Sequence, residues 1–122
     1  MIQIFGTKKC AGTRKAERFF RERQIPIQMI DLTVKGPSLG ELRSIALAVG
    51  GVVQLFDRDG KRAKEKGLHL ALLGDPDLER ALTSDPLLLR TPIVRHGKAA
   101  TVGVDTTGAG NVEDAWKSWA RK

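Results

Sequence analysis

Residues 2–32 read IQIFGTKKCAGTRKAERFFRERQIPIQMIDL, and this stretch decides the fold. A short β-like run, Ile2 to Phe5, ends at Gly6. From Thr13 to Arg23 the apolar positions recur with a helical period. Ala16, Phe19 and Phe20 share one face, while Arg14, Lys15, Arg18, Arg21 and Glu22 fall mostly elsewhere. Pro26 stops that helix, because it has no N–H to donate and its ring collides with the preceding turn. Ile27 to Ile30 then reads as a second strand, closing at Asp31-Leu32. The crossover between the strands is long enough for them to run parallel.

Working outward, Lys35 to Ser38 is a loop that leads into a helix. Ser38 is the expected N-cap, and Glu41 three residues on completes a capping box. Leu39, Leu42, Ile45, Ala46 and Val49 supply its apolar stripe, and Gly50-Gly51 ends it. Val52 to Phe56 reads either as a short strand or as the approach to the next helix. Asp57 to Lys66 is charge-dense and predicts a short helix ended by Gly67. Asp75-Pro76 opens another, running to about Thr83 and broken at Asp85-Pro86. Residues 38–84 are thus a mostly helical insert. The sheet resumes at Pro92 to Arg95, turns at His96-Gly97-Lys98 and returns over Ala99 to Val104. Asp105 to Gly110 is a glycine-rich loop, and Asn111 is the expected cap of a last helix, Val112 to Ala120, with Ala115, Trp116 and Trp119 as its buried stripe. The order β-α-β, helical insert, β-β-α predicts one α/β domain over 1–122 with a mixed sheet.

Composition narrows the functional classes. A chain of 122 residues with 41% apolar and 29% charged residues has the balance of a globular domain. No apolar run approaches the roughly 20 residues that span a bilayer, so no membrane association is expected. The opening residues lack the basic segment and long apolar stretch of a signal peptide. The single cysteine, Cys10, excludes an internal disulfide and a Cys-rich zinc site. A free thiol without export signals predicts a reducing cytoplasm. The net charge of +7 attracts anions: phosphate, sulfate, acidic proteins, anionic thiols. It fits equally a basic, well-solvated surface. Aromatics are only 5% and tyrosine is absent, so direct nucleic-acid binding by base stacking is not expected. His69 and His96 are far apart and no carboxylates cluster with them, so no metal site is expected. The run Arg58 to Lys66 alternates in sign and reads as a solvated helix face.

The chemistry-bearing residue is Cys10, in the segment KKCAGTRK between the first strand and the first helix. A helix N-terminus carries unpaired N–H groups and roughly half a positive charge. Lys8, Lys9, Arg14 and Lys15 add full charges. Both influences favour thiolate over thiol, whose free pKa is about 8.5. The same N–H groups suit an oxyanion. The competing reading is a buried structural cysteine. Thr13, three residues on, is placed to donate a hydrogen bond to the sulfur. In a second segment, Arg90-Thr91-Pro92, a proline opens a strand, a setting in which the preceding peptide can be cis.

Taken together, these segments resemble the arsenate reductase family in its glutaredoxin-coupled branch, which also includes Spx-type transcriptional regulators and uncharacterised reductase-like proteins. The resemblance covers nearly the whole chain. Its carriers are the opening strand with Cys10 to Ala16, Asp31-Leu32, Lys66-Gly67-Leu68, Leu88 to Val94, Gly97-Lys98 and Val102-Gly103. The resemblance implies a thioredoxin-like fold, in which a mixed four-stranded sheet carries the helical insert between strands two and three and a cis-proline faces the cysteine. It implies a thiol oxidoreductase whose nucleophile is Cys10. Arg90 would bind an oxyanion or a glutathione carboxylate, Thr91 and Pro92 would frame the substrate, and glutathione or glutaredoxin would supply the external thiol. In the reductases of this family, a thiolate attacks arsenate, glutathione resolves the adduct and glutaredoxin reduces the mixed disulfide. Two further arginines of those reductases fall here at Asp57, with Arg58 beside it, and at about Gly103. The reductases also join arginine directly to proline, where this chain inserts Thr91. The alternative implied by the resemblance is a non-catalytic regulator that binds RNA polymerase, with Gly12 in the contact region. Thr13 replaces the second cysteine of a Cys-X-X-Cys switch, so no switch of that kind is expected.

Overall fold

The computed structural model describes residues 1–104 and 112–121. Strand β1 (Ile2–Gly6), helix α1 (Ala11–Glu22) and strand β2 (Ile27–Asp31) form the opening unit. β1 and β2 run parallel, from Ile2 opposite Ile27 to Gly6 opposite Asp31. Strand β3 (Ile93–His96) pairs antiparallel with β1, and β4 (Ala99–Val102) returns antiparallel to β3. The sheet order is β2-β1-β3-β4. Helices α2 (Leu39–Val49), α3 (Lys61–Glu65) and α4 (Asp75–Ser84) lie between β2 and β3, and α5 (Val112–Ala120) follows β4. This is the expected thioredoxin-like α/β arrangement with a mixed sheet.

Strand side chains alternate between faces, and the core divides accordingly. Ile2, Ile4 and Val94 join Ala16, Phe19, Phe20 and Trp116 beneath α1 and α5. Phe5 and Ile93 join Leu42, Ile45, Leu55, Leu82 and Leu88 beneath the insert. Each such fully buried aliphatic or phenylalanine side chain contributes about 1.5–3 kcal/mol relative to exposure.

The insert shows where local signals hold and where packing overrides them. The capping box forms: Glu41 N–H donates to Ser38 Oγ at 3.1 Å, and Ser38 N–H donates to Glu41 Oε1 at 2.9 Å. Leu42, Ile45 and Ala46 are buried, but Leu39, on the first turn, stays 42% exposed and outside the stripe. Val52–Leu55 is a 3-10 turn, after which Phe56 makes one bridge to Leu89. The charge-dense run is not simply solvated. Arg62 and Lys66 both pair with Asp85, at 2.7 and 2.6 Å, and Asp85 itself is buried. Burial pushes the Asp85 carboxyl up, but hydrogen bonds from Lys66 and Arg62 and their charges outweigh it and hold it below the usual carboxylate range.

The second half of the sheet ends sooner than expected, since β4 stops at Val102 and Gly103 turns the chain at φ +80°. Of the α5 stripe only Trp116 is fully buried, its Nε1–H donating to Thr101 Oγ1 at 2.9 Å. Trp119 is part-exposed and stacks on His96 at 5.7 Å. The expected loop Asp105 to Gly110 and the Asn111 cap lie outside the described residues. Among the described residues, no helix is long and apolar enough to cross a membrane.

Candidate active site

Cys10 is the N-cap of α1, at the end of the turn that leaves β1. Its backbone is extended (φ −80°, ψ 116°), its N–H donates to Thr7 O at 3.1 Å, and its carbonyl accepts from Arg14 N–H at 3.1 Å. The sulfur is part-exposed. No acidic side chain occupies the first turn of α1, so nothing offsets the positive end of the helix dipole.

The peptide bond between Thr91 and Pro92 is cis, and this loop faces Cys10. Thr91 Oγ1 donates to Cys10 Sγ at 3.0 Å. Gly12 makes the close approach possible: a Cβ there would lie 2.9 Å from Pro92 Cδ and 3.2 Å from a Val104 methyl. Any side chain at 12 would push the proline loop away from the sulfur.

Burial pushes the Cys10 thiol up, but hydrogen-bond donors prevail and the thiol sits below its ordinary pKa. The donors are the Thr13 and Thr91 hydroxyls and the amides of Thr13 and Gly12. Their geometries differ. The Cys10 side chain closes no full capping bond with the helix amides, and Thr13 Oγ1 is buried without a hydrogen bond of normal geometry. They act on the sulfur by proximity, whereas Thr91 makes a well-formed bond. The lysines and arginines flanking Cys10 do not figure among the causes, which corrects the sequence argument from their charges. Their side chains extend into solvent, where water screens them.

The other expected site residues are placed as follows. Arg14 folds back on the cysteine turn, Nη1 donating to Lys8 O at 2.6 Å. Arg90 is exposed next to Thr91, with Nη1 on Gln54 O at 3.3 Å and its backbone N–H on Leu55 O at 2.8 Å. Arg58 is turned to the insert. Its Nη1 donates to Ala71 O at 2.6 Å and reaches His69 O at 3.4 Å, while its guanidinium faces the Phe56 ring. Cys10, Thr13, Thr91 and Pro92 are therefore brought together, Arg90 adjoins them, and Arg58 is held by carbonyls elsewhere. Among the described residues no group of His, Cys, Asp and Glu could hold a metal ion.

With this geometry, residues 5–109 match the ArsC family. The chain belongs to the ArsC family. An arsenate reductase of Neisseria meningitidis serogroup A is 33% identical over 105 residues, covering 81% of this chain and 87% of that protein. The global transcriptional regulator Spx 2 of Bacillus anthracis is 25% identical over 104 residues, covering 84% of this chain and 79% of that one. The solved structure of the arsenate reductase from Vibrio cholerae superposes with a TM-score of 0.73 at 25% identity, over 83% of this chain and 87% of that one. Curated relatives with an enzymatic name and with a regulatory name thus share one scaffold.

Within the ArsC scaffold the two unmatched arginine positions have local explanations. Gly103 adopts φ +80°, which side chains rarely take, and Arg90 Nη2 lies 3.6 Å from where its Cβ would be. The Arg90 guanidinium therefore lies against the ground that a side chain at 103 would need. Asp57 packs its carboxylate against Gly60 at the start of α3, so this position serves the insert. The sequence reading missed two features. One is Gly12 as the contact that seats Pro92, for which a small residue beside the cysteine was the only signal. The other is the pairing of Thr91, rather than Thr13, with the sulfur.

Proposed function

We propose that the protein is a thiol oxidoreductase in which Cys10 forms and releases a mixed disulfide, with glutathione or glutaredoxin as the external thiol. The observation that carries this reading is the 3.0 Å hydrogen bond from Thr91 to a part-exposed sulfur at the uncompensated N-terminus of α1. A thiolate held in this way is a nucleophile at neutral pH.

The exchange balances without any group the chain lacks. The Cys10 thiolate attacks one sulfur of a disulfide RS–SR′. The S–S bond breaks, R′S⁻ leaves and takes a proton from water, and Cys10–S–SR remains. An external glutathione thiolate then attacks the outer sulfur of that adduct, giving GS–SR and regenerating the Cys10 thiolate. The electron pair comes from the external thiol, which suits a chain with one cysteine. Thr91 and the α1 amides stabilise sulfur both as nucleophile and as leaving group, and Pro92 frames the approach.

A doubly charged oxyanion finds less here. Arg90 is the arginine beside Thr91, while Arg58 is bonded to Ala71 O. Charge-assisted contacts to an oxyanion are the strong ones, and their number sets the stabilisation. We therefore assign disulfide exchange as the main activity and oxyanion reduction as the lesser. The regulator reading, with RNA polymerase as partner, has support in the Spx relatives, but the packing of Gly12 on Pro92 accounts for that glycine within the chain itself. A reducing cytoplasm is the compartment that would keep Cys10 in service.

The test is turnover of a small mixed disulfide with glutathione, run beside arsenate. Cys10→Ser should abolish exchange, and the wild type should turn over the disulfide faster than arsenate. Absence of exchange in the wild type would overturn the reading.

A further inference from the structure

We propose that the hollow flanking the cysteine turn receives the amino-acid head of a zwitterionic thiol such as glutathione, its carboxylate on Lys8 and Lys9 and its ammonium on Asp31. This rests on the thiol-exchange reading and adds which external thiols are accepted. The hollow measures about 380 Å³ and is lined by Thr7, Lys8, Lys9, Asp31, Thr33 and Leu87. A smaller adjoining one, about 120 Å³, shares Thr7, Lys8 and Asp31.

The walls come from two elements that the parallel pairing of β1 and β2 sets side by side, since Gly6 lies opposite Asp31. One wall is the turn that ends in the reactive sulfur. Its backbone is fixed twice, by Cys10 N–H on Thr7 O and by Arg14 on Lys8 O. Lys8 and Lys9 are exposed and stand one and two residues from Cys10. The other wall carries Asp31, whose Oδ1 accepts from Thr33 N–H at 2.9 Å and Thr33 Oγ1 at 2.7 Å. The Thr33 hydroxyl bond, the Thr33 amide and the charge of Lys8 hold the Asp31 carboxyl below its usual range, so it is ionised at neutral pH. Leu87 gives the hollow an apolar side.

Two lysines alone would suit sulfate or phosphate. Asp31 between them and the sheet repels a dianion and suits a group bearing both charges on one carbon. A head held there keeps its thiol beside Cys10, which raises the local concentration of the resolving nucleophile.

The experiment loads Cys10 as a mixed disulfide with 5-thio-2-nitrobenzoate and follows release of the coloured thiolate. Glutathione and 2-mercaptoethanol are compared, with rates corrected for thiolate fraction. The wild type should favour glutathione by roughly fivefold, equivalent to about 1 kcal/mol from exposed ion pairs. The ratio should fall toward one in the double variant Lys8→Glu, Lys9→Glu and in Asp31→Asn. Lys64→Glu on α3 controls for overall charge and should keep the ratio. Thermal melts check that the variants fold. Equal rates for the two thiols in the wild type, or a preference untouched by both site variants, would overturn the inference while leaving thiol exchange standing. No release with either thiol would sink the exchange reading, and the inference with it.

Discussion

At the scale of single residues, the account turns on how Thr91 and Cys10 meet. Thr91→Val keeps the shape and removes the donor to the sulfur. It should raise the Cys10 pKa and slow exchange at neutral pH by roughly tenfold, the worth of one hydrogen bond to a charged group. Alkylation rate against pH measures both effects. The sign of the stability linkage follows from the same shift. Because the folded thiol ionises below its ordinary range, thiolate formation favours the fold as pH rises through the interval between the lowered and the ordinary value, and contributes nothing below it. The stability advantage of the wild type over Cys10→Ser should therefore grow with pH across that interval, as denaturant melts would show. Cys10 itself was legible in sequence, since a lone cysteine between a strand and a basic helix start has few readings. The agent of its activation was not. Flanking lysines are visible in a string of letters, but whether their charges reach a sulfur depends on where solvent lies. Thr91 is 81 positions away in the chain, and only the paired strands bring it to Cys10.

At the scale of elements, helix boundaries written in local chemistry were legible. Ser38 and Glu41 announce α2, and Ser38→Ala should cost about 0.5–2 kcal/mol in a denaturant melt. Pro26 and the α1 periodicity announce the opening unit. What local patterns could not give was contact between elements. Gly12→Ala brings a methyl to 2.9 Å from Pro92 Cδ. It should destabilise by about 1–3 kcal/mol, as overpacking does. Exchange should slow by more than that loss explains, because the loop carrying Thr91 moves. Measured stability and exchange rate together separate the two effects. In the insert, the alternating charges of Arg58 to Lys66 suggested a solvated face. They instead serve the fold, because the buried Asp85 at the end of α4 draws Arg62 and Lys66 inward and two loop carbonyls draw Arg58.

At the scale of the whole molecule, the sheet separates two cores and leaves the cysteine turn, the Thr91-Pro92 loop and the end of β2 at one edge. The order of elements sufficed to predict this, because parallel β1 and β2 with a returning hairpin admit few arrangements. The register of the hollow between Lys8 and Asp31 needed coordinates. Asp85 ties the insert together, and Asp85→Asn should cost about 1–3 kcal/mol, since it leaves Arg62 and Lys66 without their carboxylate. Its depressed pKa means that the contribution is present above the usual carboxylate range and is lost as pH falls through the lowered value. The gap between wild type and Asp85→Asn in acid unfolding should close accordingly.

The central claim is that the fold makes Cys10 a thiolate at neutral pH. Since the chain has one cysteine, ultraviolet absorbance of the thiolate titrates it alone, with Cys10→Ser as the blank. The account predicts a midpoint below the free value of about 8.5, moving upward in Thr91→Val. A midpoint at or above about 8.5 in the wild type would contradict it.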